Sequence, residues 1–225
     1  MGGLREFLEQ ARRDWDDRAS RNAMGYSDGW SQADEEDHES RAGETHAALQ
    51  DMIPDDVGRA RRILDLGCGT GRLMKRMLPH ADRLVGVDIS REMLRLSRDV
   101  LRDESRTDVV RGGGMDLRFL RDAAFDVVYA FAVFIHIPRE LFRVYLDETR
   151  RILRPGGSLI FHLARPTSLR RKMQAWLQLE PKERATWHRR FYTRGNLEEL
   201  ASGAGFEPSK WVEEGPVLWT AWRRA

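Results

Sequence analysis

Short apolar runs and helix-spaced apolar stripes alternate along the middle of the chain. In "RRILDLG", Ile63, Leu64 and Leu66 make a compact run closed by glycine, the pattern of a buried strand. Leu73, Met74, Met77 and Leu78 then recur at helical spacing, and Pro79 stops that helix. "RLVGVD" predicts a second strand. Ser90 stands in the capping position before a helix that carries Met93, Leu94, Leu96, Val100 and Leu101. "TDVVRGGG" reads as a short third strand running into glycines. "FDVVYAFAVFIHI" is apolar without alternation, as expected of one long strand covered on both faces. Pro138 opens a helix with Leu141, Tyr145, Thr149, Ile152 and Leu153 on one side; "RPGG" breaks it, and "SLIFHLA" predicts a fifth strand. After a helix at "NLEELASGAG", two strand-like stretches flank Gly215 and Pro216 with no helix between them.

Strand and helix in strict succession imply parallel strands joined by right-handed crossovers, with helices on both faces of the sheet. The closing pair implies an antiparallel hairpin at one edge. Two segments stand outside this α/β core. Residues 1–58 are expected to be helical around "FLEQARRDWDDRASR" and polar beyond it, forming a cap over the site; residues 59–225 form the core, with an insertion at about 166–190.

Composition narrows the class. With 225 residues, 41% hydrophobic and 33% charged, the chain suits one folded domain with an appendage and excludes a disordered one. The longest unbroken apolar run, Val127–Ile135, is far short of a membrane span. A lone cysteine, Cys68, and an N-terminal stretch without a basic-then-apolar leader pattern lead to the expectation of a cytoplasmic protein. The net charge of +2 hides an asymmetry. Residues 1–58 hold 15 acidic and 6 basic side chains, whereas residues 165–194 hold 9 basic and 2 acidic. Such blocks either bind a charged partner or face each other.

The candidate chemistry centres on "ILDLGCGTG". In an open parallel sheet, ligands sit outside the carboxyl ends of the strands, and a glycine loop there lets a ligand approach bare backbone. Asp88 ends the second strand, 21 residues after Gly67, where a carboxylate accepts from the hydroxyls of a ribose. Together they indicate an adenosine-containing cofactor. Arg72 occupies the place of the third glycine in a dinucleotide fingerprint, and the lysine of a phosphate-binding loop is missing.

In order, "ILDLGCGTG", "VGVDIS", "GGGMDL", "FDVVYAFAVFIHI" and "LRPGGSLIF" resemble the class I S-adenosylmethionine-dependent methyltransferases, strongly over about residues 60–165. That resemblance implies a Rossmann-like, doubly wound, seven-stranded sheet of order 3-2-1-4-5-7-6, and S-adenosyl-L-methionine as cofactor with S-adenosyl-L-homocysteine as product. It also implies roles by position. Gly67, Cys68, Gly69 and Gly71 would line the methionine and ribose, and Asp65 would orient the loop and the amino group. Asp88 would hold the ribose diol. Ile89, Met115, Asp116 and Leu117 would surround the adenine, and Ala130 and Phe131 would close the pocket towards the acceptor. In the N-terminal cap, Arg18 or Tyr26 would reach the cofactor carboxylate.

A sulfonium methyl is already reactive, so the protein mainly aligns the acceptor and excludes water. The six histidines show no metal-ligand spacing, and no metal is expected. His136, after the fourth strand, is the candidate general base for a hydroxyl acceptor, or else a turn-shaping residue before Pro138. "AFAVFIHIP" departs from the Asn/Asp-Pro-Pro-aromatic pattern of enzymes that methylate base amines. The insertion interleaves basic residues with Trp176, Trp187, Phe191 and Tyr192. It reads either as a single-stranded RNA surface or as a lid whose Met173, Trp176, Leu177 and Leu179 face a small-molecule pocket. A nearly neutral net charge favours the lid and a small oxygen or nitrogen acceptor over nucleic acid. An RNA or protein methyltransferase and a non-catalytic cofactor-binding protein are the alternatives.

Overall fold

The computed structural model describes residues 2–27, 35–54, 61–177 and 189–225. Two helices, α1 (Gly2–Ser27) and α2 (Glu35–Met52), precede the sheet. Five strands and three helices follow: β1 (Arg62–Leu66), α3 (Arg72–Met77), β2 (Arg83–Asp88), α4 (Arg91–Val100), β3 (Thr107–Arg111), β4 (Phe125–Ala130), α5 (Arg139–Ile152) and β5 (Leu153–Ala164), with no helix between β3 and β4. Helices α6 (Leu169–Trp176) and α7 (Arg194–Gly203) lead to the hairpin β6 (Phe206–Glu214) and β7 (Val217–Arg224).

The strands hydrogen-bond in the order β3-β2-β1-β4-β5-β7-β6. The first five are parallel, and β7 runs antiparallel to both β5 and β6. This is the Rossmann-like sheet that the sequence pattern and the resemblance predict. Strand periodicity divides the core into two layers. Leu64, Val128 and Phe161 pack on one face with Phe134, Phe142, Trp222 and, from α1, Phe7 and Leu8. Their chain neighbours Ile63, Val127 and Ile160 pack on the other with Met74, Leu94, Trp219 and, from α2, Leu49 and Met52. Both faces are covered, which explains the unalternating apolar runs.

Three boundaries differ from the sequence reading. The apolar run after Phe125 is not one strand: β4 stops at Ala130, and Ala132 turns away at φ 56°. The residues beyond are apolar because Val133, Ile135 and Ile137 wall a cavity while Phe134 packs into the core. Strand β5 begins at Leu153, ahead of the predicted Ser158. Its "RPGG" forms an irregularity in the pairing with β4, where a proline is tolerated. The polar N-terminal stretch includes a second helix, α2, anchored by fully buried Leu49 and Met52.

Candidate functional site

The carboxyl ends of β1, β2 and β4 open into a cavity of about 670 Å³, within the size range of ligand pockets. The loop after β1 is folded onto β2: the Gly67 and Cys68 amides both donate to the Val87 carbonyl, at 2.7 and 3.1 Å. Gly67 sits at φ 79°, and a Cβ there would collide with the Val133 side chain, so both conformation and space demand glycine. The result is a bare stretch of backbone on the cavity wall.

Asp88 faces that backbone. Its Oδ2 accepts from the Gly69 amide at 3.0 Å and its Oδ1 from the Ser90 amide at 2.8 Å. Burial pushes its pKa up, the amides of Ser90, Gly69 and Ile89 oppose the rise, and the charge of Asp16 adds to it. These amides take up only part of the carboxylate's acceptor capacity of about four lone pairs, and the remainder is available to a ligand. Two acceptor oxygens beside a side-chain-free backbone fit the vicinal diol of a ribose, and Ile89 and Met93 in the same wall offer apolar contact for a base.

Helix α1 closes this half. Asp16 Oδ1 accepts from Ser90 Oγ at 2.6 Å and from the Glu92 amide at 3.2 Å, while Ser90 Oγ itself caps α4 by accepting from the Met93 amide at 3.1 Å. One network thus runs from α1 through the start of α4 to Asp88. Arg12 adds a hydrogen bond to the Gly113 carbonyl, and Leu8 packs so closely that a Cβ on Gly114 would strike it. Phe7, Leu8, Ala11, Trp15 and Arg18 present the underside of α1 to the cavity.

Beneath the loop, Asp65 is buried and accepts from the Tyr129 hydroxyl at 2.8 Å. Burial pushes its pKa to about 8 against the help of that bond, and the Asp88 charge contributes to the rise. Its carboxyl is therefore mostly protonated at neutral pH. Cys68 is buried too, and burial raises its thiol pKa, which leaves it an unreactive spacer.

The far half of the cavity is aromatic. Phe131 stacks on His162 with ring centroids 4.6 Å apart and on Trp219 at 5.7 Å. His162 Nδ1 accepts from the Ala132 amide at 2.9 Å, which puts the ring proton on Nε2 and holds Ala132 in its left-handed conformation. Burial, with the Arg189 charge behind it, lowers the His162 pKa to about 3. His136 lies edge-on to Trp15 at 5.9 Å, and its Nδ1 has no hydrogen bond among the described residues. Burial, then Arg18 and Arg189, lower its pKa to about 3. Both imidazoles are neutral at physiological pH, and His136 is a weaker base than the free side chain.

The cavity wall gathers Asp65, Gly67, Cys68, Gly69, Asp88, Ile89, Phe131, Arg18 and His136 from the residues singled out in the sequence. Five others lie outside it. Gly71 caps α3 against Ser97 and Leu101. Met115 is exposed, and Asp116 pairs with Arg118 at 3.5 Å. The Leu117 amide, expected to serve an adenine, donates instead to Glu148 Oε2 at 2.8 Å, and Ala130 is packed beneath the wall in the core. The side chain of Tyr26 and residues Leu179 and Trp187 lie outside the described residues. Met173, Trp176 and Leu177 face solvent rather than the pocket, because α6 buries Ala175 instead. Sequence reasoning missed Asp16, His162 and Trp219; a lone histidine inside the apolar "SLIFHLA" was the available signal for His162.

The family model described as a methyltransferase domain matches residues 63–157. A methyltransferase of Streptomyces halstedii, GfsG, is 34% identical over 107 residues, covering 46% of this chain and 38% of the relative. The O-methyltransferase rstn1 of Aspergillus nomiae is 32% identical over 105 residues, covering 45% of each chain. The chain thus matches less than half the length of these curated relatives. Among solved structures, the complex of DhpI with SAH superposes with a TM-score of 0.70 at 18% identity, covering 97% of both chains.

Proposed function

We propose that this chain, whose residues 63–157 match the model of a methyltransferase domain, is a class I S-adenosylmethionine-dependent methyltransferase that transfers a methyl group from S-adenosylmethionine to an oxygen or nitrogen of a small molecule held in the aromatic half of the cavity. The observation that carries the reading is Asp88, anchored by the Gly69 and Ser90 amides at the end of β2, with acceptor capacity left beside the bare backbone of Gly67. When bound, the cofactor supplies an electrophilic methyl on sulfur, which needs only an aligned nucleophile.

Asp88 would bind the ribose and Ile89 and Met93 the base, while Asp65 would take the amino group and ionise beside its positive charge. Arg18, on the underside of α1, would face the carboxylate. Helices α1 and α2 would act as the cap that excludes water, since they supply Phe7, Leu8, Ala11, Trp15, Glu44, Thr45 and Ala48 to the wall. On the acceptor side, Phe131 and Trp219 offer flat faces for a planar ring, and His162 offers an Nε2 donor whose direction the Ala132 amide sets. His136 would orient an acceptor hydroxyl by hydrogen bonding. Its depressed basicity makes it a poor final resting place for a proton, so alignment rather than base strength carries the rate.

An acceptor chamber roofed by α1 supports a small molecule over a macromolecule. The 32% identical relative is named an O-methyltransferase, which supports oxygen as the accepting atom. The test is transfer of labelled methyl from S-adenosylmethionine into fractionated cell extract. Label in the metabolite fraction after nuclease and protease treatment is the expected result. Label lost on either treatment would move the acceptor to RNA or protein, and cofactor binding without transfer to any fraction would leave a binding protein.

A further inference from the structure

We infer that helix α6 is a docking surface for an anionic lipid bilayer. Ser168 caps the helix by accepting from the Arg171 amide. Beyond that cap its polarity is inverted relative to a core-packed helix. The residue turned fully inward is Ala175, whereas Leu169, Met173, Trp176 and Leu177 are 75%, 53%, 72% and 49% exposed. At about 100° per residue these four fall in one stripe about 100° wide. Arg171 holds the stripe outward: its guanidinium lies 5.3 Å over the Phe191 ring, on the side towards the core. Exposed Lys172 borders the stripe.

The charge of the segment selects the partner. From Leu169 to Leu177 the sequence has three cations, Arg170, Arg171 and Lys172, and no anion, whereas Arg165 just before the helix is paired with Glu213 at 2.7 Å. An exposed stripe of leucine, methionine and tryptophan with a basic border is the composition that lies in the plane of a membrane, with the apolar face among acyl chains and the cations at anionic headgroups. It needs no complementary groove. This is surface binding: among the described residues no helix is long and apolar enough to cross a bilayer. The helix starts five residues after Ala164, which lines the cavity, so docking would set the acceptor chamber close to the lipid.

The test is flotation of the full chain with vesicles of phosphatidylcholine alone and of phosphatidylcholine mixed with phosphatidylglycerol. The wild-type chain should float with the mixed vesicles and not with the neutral ones. The double variant Leu169→Ser, Trp176→Ser should lower partitioning by at least about tenfold, and Lys172→Gln by about fivefold, with a similar loss on adding salt. All three side chains are exposed, so melting temperature and S-adenosylhomocysteine binding should be unchanged, which separates lost docking from lost folding. Absence of flotation, or flotation that the double variant leaves intact, overturns the proposal. A wild-type oligomer that the double variant dissociates without lipid would assign the stripe to a second copy of the chain. Binding of single-stranded RNA that the same variant abolishes would assign it to nucleic acid.

Discussion

Replacing Asp88 by alanine tests the nucleoside site most directly. Its two carboxylate oxygens accept from the Gly69 and Ser90 amides and keep acceptor capacity for the two ribose hydroxyls. A hydrogen bond to a charged group contributes about 1.5–3 kcal/mol. Losing even one of the two weakens binding by about 1.5 kcal/mol or more, roughly tenfold; losing both, with water partly replacing the carboxylate, carries the effect towards a hundredfold or more. Two opposing changes act on the fold. The Gly69 and Ser90 amides lose their acceptor, but a carboxylate that burial disfavours is removed. Stability should therefore move less than affinity. Calorimetric titration with S-adenosylhomocysteine, well below the melting transition, measures the first quantity, and thermal melting followed by circular dichroism measures the second. An affinity within about twofold of wild type in a folded Asp88→Ala protein would show that no ribose rests on this carboxylate, and the nucleoside placement would have to be abandoned.

Three further outcomes are expected. Because Asp65 titrates at about 8 without ligand, docking of a cationic amino group at pH 7 should release up to about one proton per site; titrations in buffers of different ionisation heat should show it, and Asp65→Asn should abolish it. His162 and His136 both titrate at about 3 in the folded chain against 6.5 unfolded. The unfolded state therefore takes up protons first, and melting temperature should fall as pH drops from 6.5 towards 3. In His162→Asn, which keeps an acceptor for the Ala132 amide, that slope should be shallower; an unchanged slope would refute the assignment. Asp16→Ala removes the acceptor that joins α1 to Ser90 and the Glu92 amide. It should cost about 1 kcal/mol of stability and hasten hydrogen exchange in α1, and exchange rates equal to wild type would argue against the link.

The sheet was legible in the sequence because its signals are local. Apolar runs of five or six residues, helix-spaced stripes and a Ser90 cap each act over one element, and alternation broken only between β3 and β4 leaves few topologies. The glycine loop and Asp88 were legible for the same reason, since both sit where a strand ends. Other features depend on contacts between distant parts of the chain. The run from Phe131 to Ile137 is apolar for either a strand or a cavity wall, and where it leaves the sheet its Ala132 amide is held by His162, 30 residues away. Asp16 acts on α4 across 74 residues of chain, and the Leu117 amide is taken by a glutamate 31 residues on. Helix α6 shows the same division. Its sequence places leucine, methionine and tryptophan on one side, but whether that side faces the core or the solvent was settled by which neighbour it packs against, and the seat went to Ala175. Periodicity encodes a face; the surrounding elements decide where the face points.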